Sequence, residues 1–304
     1  MIIDGIITTT NTNDDFINLV VKTASNVMYN IKAKKEVGEV LKLNHVYEFS
    51  VTVSEGVRTK YILEDVKDVS LMDSDKRDLI LRQFMRHKDV SLPDSKTTLY
   101  SYIEKIDNEV LRNITKTLID RHLIDFLTYP GGTRIHHSFL GGLAYHTLTM
   151  LKIADSMLQI YPYLKKDYLY AGIILHDLGK IYEFSDVQNP EFSLDGQMLG
   201  HLVIGAMKIT EVAKDLGYEN KEETLVLKHI VIAHHGQLQY GSARRPLTAE
   251  ALLIWYLDTI DSKFQVIGDE LAKTRPGTFT ESIPVLDKMR LYKVKDGSNE
   301  ETKK

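Results

Sequence analysis

The chain has 304 residues, 43% hydrophobic and 26% charged, with a formal net charge of −4, which describes an ordinary globular protein with room for one large domain and a small one. The charge excludes a globally basic nucleic-acid binder, so a nucleic-acid partner needs a local basic surface. There is no apolar run of membrane-spanning length, no leader and no cysteine, which predicts a cytoplasmic protein away from membranes and confines any metal site to His, Asp, Glu and water.

Residues 1–90 read as a small β-rich module with a linker helix. Phe16–Val21, Val46–Val53 and Thr59–Leu63 are rich in β-branched and aromatic residues, and Glu55-Gly56 suits a hairpin turn between the last two. Several short strands in so few residues suggest a small barrel or sandwich, an OB-fold being one candidate. Its nucleic-acid face would use Tyr29, Lys32, Lys34, Lys35, Tyr47 and Arg58; a solvated β-module with scattered lysines is the even alternative. Asp73 caps a helix through Lys76–Met85, and the polar stretch Ser91–Ser95 marks the boundary to a domain over residues 91–296.

From Thr98 the period becomes helical. Leu99, Tyr102, Ile103 and Ile106 form one stripe, and Val110, Leu111, Ile114, Leu118 and Ile119 another, ended by Pro130-Gly131-Gly132. Gly141-Gly142 opens a helix to Gln159 carrying His146. The apolar run Leu169–Leu175 ends in His176-Asp177-Leu178-Gly179-Lys180, and Gly200-His201 starts another helix. Leu225–Ala233 leads to His234-His235-Gly236, and Ala251–Lys263 carries Asp258 and Asp261 on one side. The charged composition of the tail 297–304 predicts a frayed end.

Each element alone has a bland explanation: a core histidine, a capping carboxylate, a solvated pair. Together, the order His…His-Asp…His…His-His…Asp resembles the signature of the HD phosphohydrolase superfamily. His136–Thr147, Ala171–Lys180, Gly200-His201, His234-His235-Gly236, Tyr256–Lys263 and Arg290-Leu291-Tyr292-Lys293 are similar to the HD-domain 3′→5′ exoribonucleases of the YhaM type, which carry an OB-fold before the HD domain. The likeness covers residues 98–294 and is poor over residues 1–90.

The resemblance implies a mainly α protein, an all-α HD-domain bundle preceded by the β-module. It also implies two divalent metal ions, Mn2+ first among Mn, Co, Fe, Zn and Mg. One would take His146, His176, Asp177 and Asp258, with Asp261 open as the alternative last ligand; the other would take Asp177 as a bridge with His201, His234 and His235. Such cations relieve phosphoryl charge and provide a nucleophile at neutral pH. Asp177 and Lys180 are the expected catalytic residues, Lys180 meeting the phosphate.

His136 and His137, before His146, are candidates for substrate contact or for a structural junction. Arg244 and Arg245, after Tyr240-Gly241-Ser242, form a basic loop beside the His234-His235 end that suits an RNA backbone or plain solvent. Trp255 reads as core packing. The expected activity is 3′→5′ hydrolysis of single-stranded RNA, or DNA, by a homo-oligomer. The alternatives are a phosphohydrolase acting on nucleotides or cyclic nucleotides, and a single-strand-binding protein.

Overall fold

The computed structural model describes every residue except 55–58, 86, 88–90, 133–138, 189 and 296–304. The chain begins with strands β1 (Ile2–Thr12), β2 (Phe16–Lys22) and β3 (Met28–Lys34), a short helix α1 (Lys35–Gly38), then β4 (Val46–Ser54) and β5 (Lys60–Asp68). They close into a barrel in the order β1-β2-β3-β5-β4, with β3 and β5 parallel, β1 paired to β4, and the remaining neighbours antiparallel. This is an OB-like barrel.

Strict alternation drives it: Ile17, Leu19 and Val21 of β2 point inward and meet Ile3, Ile7, Ile31, Ala33, Phe49 and Val51. Two of its strands, β1 and β3, escape the pattern read from sequence. In β1 one inward position is Gly5, where a Cβ would come within 2.3 Å of the Val21 side chain, so the strand lacks a large apolar residue where the barrel is tightest. In β3 only Ile31 and Ala33 are buried.

The expected binding face is partly corrected. Lys32, Lys34 and Lys35 are exposed, and Tyr29 sits half-buried edge-on to Tyr61. Tyr47 is buried in the barrel core with its hydroxyl accepting from the Lys42 N–H, because it lies on the inward register of β4. Arg58 and the Glu55-Gly56 turn lie outside the described residues.

Helix α2 (Ser74–Phe84) starts at Asp73, whose carboxylate accepts from the Lys76 N–H. It is no loose linker. Ile80 and Leu81 pack with Val46, Val69, Leu140 and Val187, and the buried Arg77 bonds Ser70 O and Thr128 Oγ1. The helical period begins earlier than Thr98, since Ser91 caps α3 (Leu92–Glu104) with Pro93 in its first turn. Then follow α4 (Glu109–Thr128), α5 (Gly142–Ile160), α6 (Lys166–Leu175), α7 (Lys180–Glu183), α8 (Leu194–Met198), α9 (Gly200–Asp215), α10 (Glu222–Ala233) and α11 (Ala249–Lys273).

Helix α6 is the hub. Leu169 through Leu175 are all buried, and α3, α4, α5, α10 and α11 pack around it. Each large apolar side chain buried there stabilises the bundle by roughly 1.5–3 kcal/mol. A helix with no polar face must be surrounded, and that places its C-terminal end, with His176-Asp177, inside the protein. Among the described residues no helix is long and apolar enough to cross a membrane.

Candidate metal centre

Five helices bring their polar residues to the end of α6. His176 is the C-cap of α6 and His234 the C-cap of α10; His201 opens α9, His146 lies in the second turn of α5, and Asp258 sits midway along α11.

Each ring is held from behind. His176 Nδ1 donates to Ile173 O at 2.7 Å and His234 Nδ1 to Val231 O at 2.7 Å. His146 Nδ1 lies 2.6 Å from Asp261 Oδ2, and His201 Nδ1 2.9 Å from Glu183 Oε1. A carbonyl or carboxylate can only accept, so Nδ1 carries the proton in all four. The neutral tautomer then presents the Nε2 lone pair, the form a cation needs.

The Nε2 atoms converge on Asp177, whose two oxygens serve different sets. Oδ2 lies 3.3 Å from His176 Nε2 and 3.9 Å from His146 Nε2. His146 Nε2 is itself 3.2 Å from His176 Nε2 and 3.3 Å from Asp258 Oδ1. On the other side Oδ1 lies 3.5 Å from His201 Nε2 and 3.6 Å from His234 Nε2, while His201 Nε2 is 3.3 Å from His235 Nε2. Two donor atoms each about 2.1 Å from one cation stand about 3.0–3.4 Å apart; the His146–His176, His146–Asp258, His176–Asp177 and His201–His235 pairs have that spacing, and the other Asp177 contacts are a little wider.

Among the described residues, three overlapping groups have ligand atoms within 4.8 Å of one another: His146, His176 and Asp258; His176, Asp177 and His234; His201, His234 and His235. Asp177 Oδ1 and His234 Nε2 are buried without any hydrogen-bond partner, a costly arrangement in a folded interior. Orphaned acceptors aimed into a cluster of imidazoles and carboxylates fit a divalent cation.

Electrostatics agree with the geometry. Burial disfavours the Asp177 carboxylate, but the Lys180 ammonium and His176 outweigh it and hold its pKa well below the usual range. Burial opposes charge on His146 too, yet Asp258 and Asp261 push its pKa up to about 9. His234 goes the other way: burial, then His176 and His235, drive it well below an ordinary imidazole.

Of the residues expected from sequence, His146, His176, Asp177, His201, His234, His235 and Asp258 come together. Of the two aspartates of α11, Asp258 faces His146 Nε2 and Asp261 faces Nδ1. Lys180 is buried and bonds Asp177 Oδ2 at 2.7 Å and Gly131 O at 2.6 Å, tying the segment after α4 to the site.

Arg244 and Arg245 are exposed on a loop that returns along α10, where the Ala243 N–H donates to Ile232 O; they lie outside the groups of ligand atoms. His136 and His137 lie outside the described residues. Trp255 is only half-buried: its indole covers Gly236, which turns the chain after the histidine pair at φ +75°.

Glu183 escaped the sequence reading. It accepts from both the backbone N–H and Nδ1 of His201. Its one signal is an acid in an otherwise aromatic and apolar run, Ile181-Tyr182-Glu183-Phe184.

Residues 143–263 match the family model described as HD domain. The matched span includes all seven converging residues together with Lys180, Glu183 and Asp261.

Proposed function

With the HD domain at residues 143–263 as premise, we propose that this metal-dependent phosphohydrolase acts on the phosphodiester bonds of single-stranded RNA, removing nucleoside 5′-monophosphates from the 3′ end. The observation that carries the hydrolytic reading is the division of Asp177: one oxygen faces His146 and His176, the other His201 and His234, and the second oxygen is an orphan. His146, His176 and Asp258 would hold one cation and His201, His234 and His235 another, with Asp177 shared. Such cations supply Lewis acidity toward phosphoryl oxygens and a nucleophile at neutral pH.

The chain's own residues do the rest. Backbone carbonyls and two carboxylates hold four imidazoles with Nε2 aimed into the site before any ligand arrives, so little reorientation is left for the reaction. Lys180 balances the charge of Asp177 and orients it. Water oxygen bonds to phosphorus as the P–O3′ bond breaks, so the released nucleotide keeps its phosphate on the 5′ oxygen and the shortened strand takes a proton to end in a 3′-hydroxyl. The strand preference is supported by the OB-like barrel, whose outer face carries the exposed Lys32 over the Phe16 ring at 3.6 Å, a cation and a ring suited to a phosphate and a base.

A 5′-labelled single-stranded RNA with Mn2+ tests this. The expected result is a descending ladder that a 3′-phosphate slows and that is absent in Asp177→Asn. Immediate release of the labelled 5′ nucleotide overturns the direction. Turnover confined to nucleotides or cyclic dinucleotides overturns the substrate.

A further inference from the structure

We propose that the arm formed by residues 274–295, beyond α11, is a second contact surface for the single strand; the proposal rests on the reading of the substrate as single-stranded nucleic acid. In a chain of net charge −4, residues 274–295 hold five basic side chains against two acidic ones. Arg275, Lys288, Arg290 and Lys295 are exposed.

Aromatic rings stand among these cations. Phe279 and Tyr292 are paired across the arm by an antiparallel bridge, which puts both on one face. Their rings meet edge-on at 5.3 Å, and they remain 57% and 49% exposed. The Arg290 guanidinium lies over Phe279 at 5.9 Å from its centroid. Exposed rings flanked by guanidinium and ammonium groups are what a strand offers partners for: the rings stack on bases and the cations meet phosphates. A surface for a second protein chain is expected to carry few lysines at its centre, so charge favours the polyanion.

The arm is firmly mounted. Lys293 Nζ donates to Leu271 O at 2.8 Å and Thr274 O at 2.9 Å, closing the C-terminal end of α11, and Ile283 and Leu286 are buried beneath. Helix α11 also carries Asp258. Fifteen residues separate Asp258 from Lys273, about 22 Å of helix at 1.5 Å per residue. At a duplex-like rise of about 3.4 Å per nucleotide that span is roughly seven nucleotides. A dinucleotide at the metal centre is therefore expected to end short of the helix end that carries the arm, whereas a long strand reaches it.

The experiment measures anisotropy of a 5′-labelled single strand of about 20 nucleotides, longer than one barrel covers, with phosphorothioates at its 3′ end to slow turnover. The full chain is compared with Phe279→Ala/Tyr292→Ala and with Arg275→Ala/Arg290→Ala. The ring variant is expected to bind about tenfold more weakly. The arginine variant is expected to lose about 1.4 from the slope of log affinity against log salt, roughly 0.7 for each phosphate contact. Hydrolysis of a dinucleotide with Mn2+ should stay unchanged in both, which also shows that the variants fold. Unchanged affinity and slope in both variants overturn the arm while leaving the substrate reading intact. A wild-type chain that binds no single strand overturns both. Unchanged strand binding with a smaller mass in sedimentation overturns the proposal in favour of contact between copies of this chain.

Discussion

His176 and His234 close their helices in the same way, each donating its Nδ1 proton to the carbonyl three residues earlier, at 2.7 Å in both cases. The helix end supplies an acceptor that no intrahelical N–H uses, and the imidazole takes it. These two rings are thus aimed by backbone, which side-chain replacement leaves in place. His146 and His201 are aimed by Asp261 and Glu183 instead.

That difference sets the first prediction. Asp261→Ala and Glu183→Ala should each lower metal affinity or metal-dependent turnover by about 10–100-fold, the usual effect of removing the partner behind a ligating histidine. Metal titration followed by hydrolysis assays checks it, with circular dichroism to confirm the helices. Unchanged metal affinity in both variants would show that the carboxylates do not orient the rings.

A second prediction concerns the pH dependence of stability after chelation. An unfolded imidazole titrates near 6.5. Burial opposes charge on His146, but Asp258 and Asp261 raise its folded pKa to about 9, so its contribution is full below about 6.5 and is lost as pH rises through about 9. His234 is depressed by burial and its neighbouring imidazoles, so its contribution is full above about 6.5 and is lost as pH falls below it. Asp177 and Asp258 are depressed as well, adding a further loss below about pH 4. The metal-free protein should therefore be most stable near pH 6.5 and weaken on both sides. Saturating Mn2+ needs His146 unprotonated and should abolish the alkaline limb. Melting curves from about pH 5 to about pH 9, with chelator and with Mn2+, decide it; a metal-free Tm that rises steadily across that range contradicts the assignment for His146.

What the sequence made legible follows from how local each signal is. His-Asp at the end of an apolar run and His-His-Gly at the end of another are visible because a helix carries them and a terminus exposes them. The seven converging side chains are separated by up to 112 positions, yet the resemblance to HD proteins collects them at once. Strand β2 is legible from the β-branched and aromatic content of Phe16–Val21. Strand β1 is not, because barrel closure demands Gly5 where alternation would ask for a large residue. Glu183 and Asp261 act through other side chains, and nothing in the spacing of an acid tells which imidazole nitrogen it will meet. Tyr47 looked like a surface aromatic because residue type cannot reveal which face of a strand closes inward.

The third prediction tests the turn after the histidine pair. Gly236 adopts φ +75°, and a Cβ there would fall 2.0 Å from the Trp255 ring. Gly236→Ala should destabilise the protein by at least about 1–2 kcal/mol from backbone strain alone, with the clash added to it. His235 should lose its place against His201, so metal content should fall with stability. Urea denaturation and metal analysis read both effects. A stability equal to wild type would mean that the turn relaxes freely and does not hold His235.

The last prediction concerns how the barrel is joined to the metal centre. Gln188 reaches from the chain between α7 and α8 into the barrel, where its Oε1 accepts from the Val46 N–H at 2.7 Å and its Nε2 donates to Ser70 Oγ at 2.8 Å and Val46 O at 3.2 Å. Beside it, the fully buried His45 lies 2.9 Å from Asp68 Oδ2 and 3.6 Å from Asp186 Oδ2, and Lys42 pairs with Asp186 at 3.3 Å. Residues from both parts of the chain therefore share one polar network, and the same connection leads from Glu183 to His201. Removing one partner leaves buried groups unpaired, and a buried unsatisfied donor or acceptor costs about 1–3 kcal/mol. Gln188→Ala strips the Val46 N–H and C=O together, whereas the apolar contacts of Val46, Val69, Leu140 and Val187 remain. The barrel and the helical domain should then unfold in two transitions rather than one, the barrel first, since it has the smaller core. Cleavage of a dinucleotide should persist, because the converging imidazoles keep their own supports; a long strand should be bound less tightly once the barrel is held less firmly. Calorimetry of the full-length variant reads the uncoupling directly. A single transition at the wild-type Tm would mean that the apolar patch alone joins the two and that Gln188 contributes nothing to the junction.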